Sequence, residues 1–312
     1  MGVPLLKITS ISPSSAGTYQ DCSWKYYLQK IIGYPSTASP KMACGTVVHK
    51  VCELLAKFKQ RNKTASVFCD PDYLLDISIK HVFKKEGLEY TKEHVDFCRK
   101  QLKVILKSPY SPLEREVLFT EHGFELQIKR PGLELEGDNY FVIRGIIDRV
   151  DLIDEDTIEV LDYKTGKNSD WNTGIRKDFD TLKHDLQMQV YELAIRRLFP
   201  QYKYRMLTMF FTDDGGPVTT HFEDKDDEMI IDEIRRIFHK IKNDDFPRRL
   251  KDDFTRKEQH FKCKFVCEFG SKYKNTCDGL YRQFDKGILV PLTVEKKFRG
   301  GGKSEFIKID YL

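Results

Sequence analysis

Two short stretches of the chain decide its fold: residues 145–151 read Gly-Ile-Ile-Asp-Arg-Val-Asp, and residues 161–166 read Leu-Asp-Tyr-Lys-Thr-Gly. They lie at the ends of two runs with strand-like composition, residues 140–150 and 157–163, which the acidic turn at 154–156 separates. Runs rich in β-branched residues and bounded by a turn are typical of strands. We therefore predict a hairpin that pairs the first run with the second.

This hairpin would bring two carboxylates and an ammonium group into one pocket. Asp162 and Lys164 are two positions apart on one strand and so project from the same face. Asp148 lies on the preceding strand, where the hairpin can place it beside Asp162. Two close carboxylates repel each other and favour a cation between them, and oxygen ligands favour Mg²⁺ or Mn²⁺.

Such a pocket suits phosphodiester cleavage. The metal polarises a phosphoryl oxygen and lowers the pKa of a bound water. Lys164 can orient that water or stabilise charge on the transition-state oxygens. The alternative is a cross-strand ion pair on a surface hairpin, which is the commoner origin of an isolated Asp-x-Lys pattern.

The elements on either side of the hairpin predict an α/β fold, with a mixed central sheet flanked by helices. Residues 122–123, His-Gly, resemble a second hairpin turn. Helical patterns cover 12–30, a segment after Gly45, 71–87, 91–107, 178–198 and 229–241, and strand patterns cover 117–119, 124–128, 204–212 and 218–222.

Composition indicates a soluble globular protein, since 40% of the 312 residues are hydrophobic and 32% are charged. No apolar run approaches the roughly 18 residues that a bilayer span needs, and the N-terminus has no secretion signal. We therefore expect a cytoplasmic protein with no membrane partner.

Residues 245–312 carry a net charge of +6, whereas the net charge of the whole chain is +4. This basic, aromatic segment can meet phosphates and stack on bases, or it is an ordinary solvated surface.

Three further residues, His49, Gln187 and Tyr191, indicate a functional site only when they are considered together with the hairpin. His49 follows Val48 on a predicted helix and, taken alone, is more often a core or boundary histidine than a ligand. Gln187 and Tyr191 are four positions apart and share one helix face. Taken alone, they are ordinary surface or boundary residues.

The ordered set resembles the RecB-type branch of the PD-(D/E)xK nuclease superfamily, over about residues 12–277. Its members are Gly45-Thr46-Val47-Val48-His49, the stretch 145–151, the stretch 162–166 and Gln187-x-x-x-Tyr191. Ile147, where the superfamily name has proline, is a departure that this branch often shares. The resemblance implies a restriction-endonuclease-like fold with a helical N-terminal part and a cysteine-containing C-terminal appendage. We interpret residues 1–312 as a single nuclease domain, with a helical part at 1–110, a catalytic sheet core at 111–245 and a basic segment at 246–312.

The resemblance also implies roles for the site residues. His49, Asp148, Asp162 and the backbone carbonyl of Tyr163 would bind Mg²⁺ or Mn²⁺. Catalysis would use Lys164 together with Asp148 and Asp162, and Gln187 and Tyr191 would help to organise the site and the DNA. Glu116 is a further acidic candidate.

The activity implied is that of a metal-dependent DNA exonuclease acting at single-stranded ends in recombination, repair, replication or CRISPR adaptation. The chain has no Walker-type phosphate loop, so a helicase partner would be a separate chain. Two alternatives remain: a non-catalytic RecB-like module that holds DNA or a helicase, and a site-specific restriction enzyme.

The eight cysteines suggest a second site. Without a secretion signal, reduced thiols or metal ligands are expected instead of disulfides. Some RecB-type nucleases bind a [4Fe–4S] cluster with one early and three late cysteines, and that resemblance assigns a cluster to Cys22, Cys263, Cys267 and Cys277. The late spacing here, C-x3-C-x9-C, is wider than the usual C-x2-C-x5-C, so zinc and free thiols are the alternatives. We expect the remaining four, Cys44, Cys52, Cys69 and Cys98, to be small core or boundary residues.

Overall fold

The computed structural model contains two compact units. The central unit comprises residues 38–124 and 145–224, and the terminal unit comprises residues 1–37, 125–144 and 225–312. The assignment of all 312 residues to one nuclease domain stays a prediction. The structure describes residues 10–34, 39–61, 69–129, 140–169, 174–214, 216–223, 226–243, 247–253, 260–270, 276–288 and 305–310.

Helices and strands alternate along the chain. The helices are α1 (Pro13–Asp21), α2 (Ser23–Tyr26), α3 (Pro40–Arg61), α4 (Pro71–Glu86), α5 (Lys92–Leu106), α6 (Phe179–Lys183), α7 (Leu186–Leu198), α8 (Asp226–Lys242) and α9 (Cys277–Asp285). The strands are β1 (Ser10–Ile11), β2 (Glu116–Lys129), β3 (Tyr140–Leu152), β4 (Thr157–Lys164), β5 (Tyr204–Phe211), β6 (Gly216–Thr220) and β7 (Glu305–Asp310). None of the described helices is long and apolar enough to cross a membrane.

The strands form a mixed sheet, as the sequence predicts. Their order is β6-β5-β4-β3-β2-β7, and β1 pairs with β3 outside this path. The predicted hairpin is the antiparallel pair β3–β4, in which Arg149 faces Leu161. β4 runs parallel to β5, and β5 runs antiparallel to β6. This mixed α/β arrangement confirms the predicted fold class.

Helices cover both faces of the sheet within the central unit. Leu161 and Tyr163 of β4, together with Phe210 of β5, belong to one apolar cluster with buried residues of α3, α4 and α5. On the opposite face, Gln187 on α7 contacts Lys164 at the end of β4. Each fully buried Leu, Ile or Phe side chain stabilises the fold by roughly 1.5–3 kcal/mol. Apolar packing therefore holds the two helical layers against the sheet, and the polar site does not have to stabilise them.

Four predicted helices or turns differ from the structure. The helix predicted after Gly45 begins earlier, at Pro40, and the helix predicted over 12–30 is interrupted at Cys22. The helix predicted over 178–198 is broken into α6 and α7, because Asp185 caps a new helix by accepting from the backbone N–H of Gln187. The hairpin predicted at residues 122–123 was wrong, because β2 continues through them. Glu121 instead adopts a left-handed backbone conformation, with φ of 50°, and the strand continues past it without reversing direction.

Candidate active site

The β3–β4 pair brings Asp148, Asp162 and Lys164 together in the central unit. Since Arg149 faces Leu161, the next position along this register places Asp148 opposite Asp162. Lys164 forms an ion pair with Asp162, whose side chain is only 3% exposed. The Lys164 side chain is one-third exposed, so this side of the pocket is open to solvent.

His49 closes one side of this pocket. It projects from α3, which is anchored by the buried Val48 and Cys52 on either side of it in the sequence. The Nδ1 atom of His49 lies 3.1 Å from Asp148 Oδ2, and its Nε2 atom donates to the backbone carbonyl of Tyr163 at 2.7 Å. His49 therefore contacts Asp148 and the Tyr163 carbonyl, two of the groups that the resemblance assigns to the metal site. It does not lie among apolar side chains only.

Gln187 and Tyr191 approach from the opposite helical layer. Lys164 Nζ donates to Gln187 Oε1 at 3.0 Å, and Gln187 Nε2 donates to the hydroxyl of Tyr191 at 2.7 Å. That hydroxyl donates in turn to the backbone carbonyl of Ile146, also at 2.7 Å. The chain of hydrogen bonds thus runs from the end of β4 through α7 to β3, and it limits the directions in which the Lys164 amine can point.

The electrostatics of the pocket are strongly perturbed. Burial alone would lower the pKa of His49, but the Asp148 carboxylate outweighs burial and raises the pKa to about 9. Burial would raise the pKa of Asp148, but His49 and Lys164 lower it to about 2. Burial raises the pKa of Asp162 to about 7, although Lys164 opposes the rise. Two adjacent carboxylates therefore differ widely in acidity, as in sites built for acid–base or metal chemistry.

The two carboxylates also have capacity left for a cation. Asp148 Oδ2 and Asp162 Oδ2 are both buried, and neither accepts a hydrogen bond of good geometry from the described residues. Each of them lies in an ion pair instead, Asp148 Oδ2 with His49 and Asp162 Oδ2 with Lys164. A divalent cation is the group that two adjacent carboxylates can bind together. The residues present therefore fit Mg²⁺ or Mn²⁺.

Glu121 is a residue that sequence reasoning missed. It offers a carboxylate oxygen that lies, with ligand atoms of His49 and Asp148, in a set whose members are all within 4.8 Å of one another. Glu116, the acidic residue nominated from the sequence, is instead exposed at the start of β2. Burial raises the pKa of Glu121 to about 7, and Asp148 and Glu53 add to the rise. The only feature of the sequence that could have pointed to Glu121 is the Glu-His-Gly segment at 121–123, which interrupts the strand pattern.

A buried polar network lies on the other face of β3 and β4. Arg149, 2% exposed, donates to both carboxylate oxygens of Asp151 at 2.6 Å. Its Nη1 atom also donates to the hydroxyl of Tyr163 and to the backbone carbonyl of Tyr110. Since the Tyr163 carbonyl accepts from His49, this network fixes the strand segment that carries the pocket.

The four cysteines of the predicted second site meet in the terminal unit. Cys22, Cys263, Cys267 and Cys277 line one cavity of about 90 Å³, and all four are free thiols. Burial raises the pKa of Cys263 to about 11 and that of Cys277 to about 12. The other four cysteines lie in the central unit, where Cys44, Cys52 and Cys98 are buried and Cys69 is half-buried.

Gly270 permits the chain to close around these cysteines. Its N–H donates to the carbonyl of Cys267 at 2.9 Å, and Cys277 N–H donates to the carbonyl of Phe269 at 3.0 Å. A Cβ atom at position 270 would lie 1.8 Å from the carbonyl oxygen of Cys263. Only glycine therefore allows this close approach of the backbone beside Cys263 and Cys267.

Comparison with known proteins agrees with this picture. The sequence profile of the PD-(D/E)XK nuclease superfamily matches residues 10–277. The chain is also similar to ATP-dependent helicase/deoxyribonuclease subunits of two bacteria. Identity is 25% over 158 residues for Streptococcus equi subsp. zooepidemicus (strain H70) and 26% over 203 residues for Lactococcus lactis subsp. cremoris (strain SK11). These matches cover 50% and 62% of this chain, but the chain spans only 14% and 17% of those proteins.

Among solved structures, the chain is similar to a protein of Eubacterium rectale named as a candidate exonuclease. The superposition has a TM-score of 0.44 at 14% sequence identity. It covers 84% of this chain and 92% of the other.

Proposed function

The chain belongs to the PD-(D/E)XK nuclease superfamily, and on that premise we propose that it is a Mg²⁺- or Mn²⁺-dependent deoxyribonuclease that degrades DNA from single-stranded ends. One observation carries the proposal above all others. Asp148, Asp162 and Lys164 share one pocket, with two buried carboxylate oxygens that accept no hydrogen bond of good geometry from the described residues. A purely structural copy of the fold has no need of all three groups.

Each site residue has a role in this proposal. Asp148, Asp162, His49 and the carbonyl of Tyr163 hold the cation, which supplies Lewis-acid activation of the phosphodiester and of a water when bound. Lys164 directs its ammonium group at the nucleophile or at the transition-state oxygens. Gln187 and Tyr191 hold Lys164 in place, as their hydrogen bonds at 3.0 and 2.7 Å support.

The partners and setting follow from the same premise. Both named relatives are helicase/deoxyribonuclease subunits, so we propose that this nuclease acts with a helicase in DNA recombination, repair or replication, or in CRISPR adaptation. With DNA as its substrate, we assign the protein to the cytoplasm. The basic segment after Pro247 is the surface that we assign to the DNA backbone.

We further propose that Cys22, Cys263, Cys267 and Cys277 bind a [4Fe–4S] cluster. Four thiolates are the ligand set that such a cluster needs, and all four line one cavity. Lys25, Arg249 and Lys251 line the same cavity together with one carboxylate, Asp278, so its charged lining has a net positive charge that suits an anionic thiolate cluster. The cluster would be structural, because it would join the first helices to a segment some 240 residues later and restrict the unfolded chain.

Sulfur spacing favours the cluster over zinc. Four sulfurs around one zinc ion, each about 2.3 Å from it, lie about 3.8 Å apart. No three of these described sulfurs lie within 4.8 Å of one another. A four-iron cluster binds each thiolate to a different iron atom, so it accepts sulfurs that are farther apart.

The test of the nuclease is incubation with end-labelled single- and double-stranded DNA in Mg²⁺, Mn²⁺ or EDTA. We expect metal-dependent loss of label from single-stranded ends, no reaction in EDTA and no reaction by Lys164→Ala. Metal-independent cleavage, or cleavage that survives Lys164→Ala, would contradict the assignment. DNA binding without cleavage in either metal would favour the non-catalytic module instead.

A further inference from the structure

Two aromatic rings lie side by side on the surface of the central unit. Phe179 begins α6 and is 41% exposed, and His221, which directly follows β6, is exposed as well. Their ring centroids are 5.2 Å apart, with an angle of 61° between the ring planes. A single exposed aromatic residue is ordinary on a protein surface. Two exposed rings in contact, however, offer a face on which a further flat ring can stack.

Buried neighbours hold both rings in place. Leu182 of α6 is buried, as is Phe222, and the Lys183 ammonium group lies 5.9 Å from the centroid of the Phe222 ring. The Asp178 carboxylate caps α6 by accepting from the backbone N–H of Thr181 at 2.9 Å. Both rings therefore project from a fixed backbone, so a ligand that binds them has little ordering entropy to overcome.

The segment that leads into α6 is joined to the active-site lysine. The buried side chain of Asn168 accepts from the N–H of Lys177 and donates to its carbonyl, both at 2.9 Å. The Lys177 ammonium group pairs with Asp185, whose carboxylate also accepts from the N–H of Gln187 at 3.0 Å. Gln187 in turn holds the amine of Lys164. The aromatic pair is therefore next to the catalytic groups, and a DNA strand held at Lys164 can extend across it.

The surface around the aromatic pair is close to neutral. Residues 174–185 contain three cationic and three acidic side chains, namely Arg176, Lys177, Lys183, Asp178, Asp180 and Asp185. A ligand that binds through charge alone would gain little affinity on such a surface. Stacking of a base on an aromatic ring does not depend on net charge, because every base has a π-face. The surface therefore suits unpaired bases better than the charged backbone of a duplex.

We propose that Phe179 and His221 form a base-stacking platform, which binds an unpaired nucleotide of the DNA substrate and gives the enzyme its preference for single strands. The inference rests on the proposed function, since it names the feature of the DNA that the same site recognises. The bases of a duplex are paired and stacked on one another. A duplex therefore has to be opened, at a cost in free energy, before one of its bases can reach the rings.

The first experiment measures DNA binding by the whole chain in EDTA, which prevents cleavage. The probes are a dye-labelled single-stranded oligonucleotide and its duplex, and fluorescence anisotropy gives both affinities. Phe179→Ala should weaken single-strand binding by roughly 5- to 150-fold, the usual effect of removing one aromatic stacking partner, and should leave duplex binding unchanged. Tyr73→Ala is the matched control, because Tyr73 is an exposed aromatic residue of α4, 63% exposed, and its loss should change neither affinity.

A second measurement separates stacking from a structural effect. The fluorescent base 2-aminopurine, which is quenched when it stacks on a ring, is placed at successive positions of an oligothymidylate. We expect the wild type to quench one position, Phe179→Ala to lose this quenching and Phe179→Trp to regain it. The salt dependence of single-strand affinity should be the same in Phe179→Ala as in the wild type, because stacking releases no counterions.

The outcomes distinguish this inference from the proposed function. Equal single-strand affinity in Phe179→Ala and wild type, or no quenched position in the wild type, would overturn the platform. Cleavage of single-stranded ends by that same wild type in Mg²⁺ or Mn²⁺ would leave the nuclease proposal intact. Equal losses of single-strand and duplex binding in Phe179→Ala would also overturn the platform, since they would indicate a structural defect. A wild type that neither binds nor cleaves single-stranded DNA would overturn both proposals.

Discussion

The ammonium nitrogen of Lys164 lies 3.0 Å from the side-chain oxygen of Gln187, although the two residues stand on different layers of the central unit. Lys164 ends β4, and Gln187 lies in the first turn of α7, where Asp185 caps the helix. The capped end of α7 therefore fixes the Gln187 side-chain amide, and this amide holds the Lys164 amine in place. This relationship makes the position of Lys164 depend on the packing of α7 against the sheet.

Lys164→Ala and Asp162→Ala should both abolish cleavage, for different reasons. Loss of one charged group that stabilises the transition state lowers kcat by roughly 10²–10³ or more. Lys164→Ala should still bind Mn²⁺, whereas Asp162→Ala should bind it poorly because a buried ligand oxygen is lost. Cleavage assays and calorimetric Mn²⁺ titration measure the two effects separately. Lys167→Ala, an exposed lysine three residues on, is the control that should cleave normally, and a wild-type rate in either active-site variant would refute the assignment.

His49→Ala should weaken the site mainly through metal affinity. An imidazole among oxygen ligands shifts the preference of a site towards Mn²⁺ over Mg²⁺. Half-maximal activity should therefore require more metal than in the wild type, and excess Mn²⁺ should restore part of the lost rate. Equal metal affinity in mutant and wild type would return His49 to the role of an ordinary buried histidine.

Arg149→Met should destabilise the protein by about 3–5 kcal/mol, the usual cost of leaving one partner of a buried ion pair unpaired. Asp151 is fully buried and would lose both of its hydrogen bonds from Arg149. Urea unfolding followed by circular dichroism measures the change. The double variant Arg149→Met, Asp151→Leu should recover much of the loss, because it removes the orphaned charge. A single variant as stable as the wild type would show that this network does not hold the strands.

Gly270→Ala should remove the cysteine site. The new Cβ atom would lie 1.8 Å from the Cys263 carbonyl oxygen, so the backbone around the cysteines must move. We expect iron content to fall and the melting temperature to drop, as overpacking typically costs about 1–3 kcal/mol.

Gly279→Ala is the matched control for this change. Position 279 lies in α9, where an added Cβ has nothing within 4 Å, so the variant should retain its iron. Anaerobically purified wild-type protein should be brown and should contain about four iron atoms per chain. Colourless wild-type protein without iron, or Gly270→Ala with unchanged iron content and melting, would contradict the cluster proposal.

DNA binding should depend strongly on salt. Each phosphate that Lys or Arg neutralises on a single strand releases counterions, so log affinity should fall by roughly 0.7 per contact for each unit of log salt concentration. Fluorescence anisotropy with a labelled oligonucleotide measures the slope, in EDTA to prevent cleavage. Arg282→Gln, an exposed residue of the basic segment, should reduce the slope if that segment is the DNA track. An affinity that stays flat from low to moderate salt would argue against this surface.

Several elements could be predicted because their causes are local. α4 begins at Pro71 behind the capping Asp70 and ends before Gly87, and all three signals are visible in the sequence. The β3–β4 pair follows from two β-branched runs and the acidic turn between them. The breaks at residues 121 and 185 were missed, because short segments such as Glu-His-Gly support either a turn or an irregular strand.

The sequence by itself determined that Asp162 and Lys164 share a face and that Asp148 can stand beside them, since strand periodicity and a hairpin are local properties. Only the tertiary structure decided that His49, Glu121 and Gln187 reach the same pocket from α3, β2 and α7. It likewise decided that Cys22 meets three cysteines some 240 residues later. Contacts over such separations depend on how helices and strands pack, and apolar burial sets that packing without leaving a local pattern in the chain.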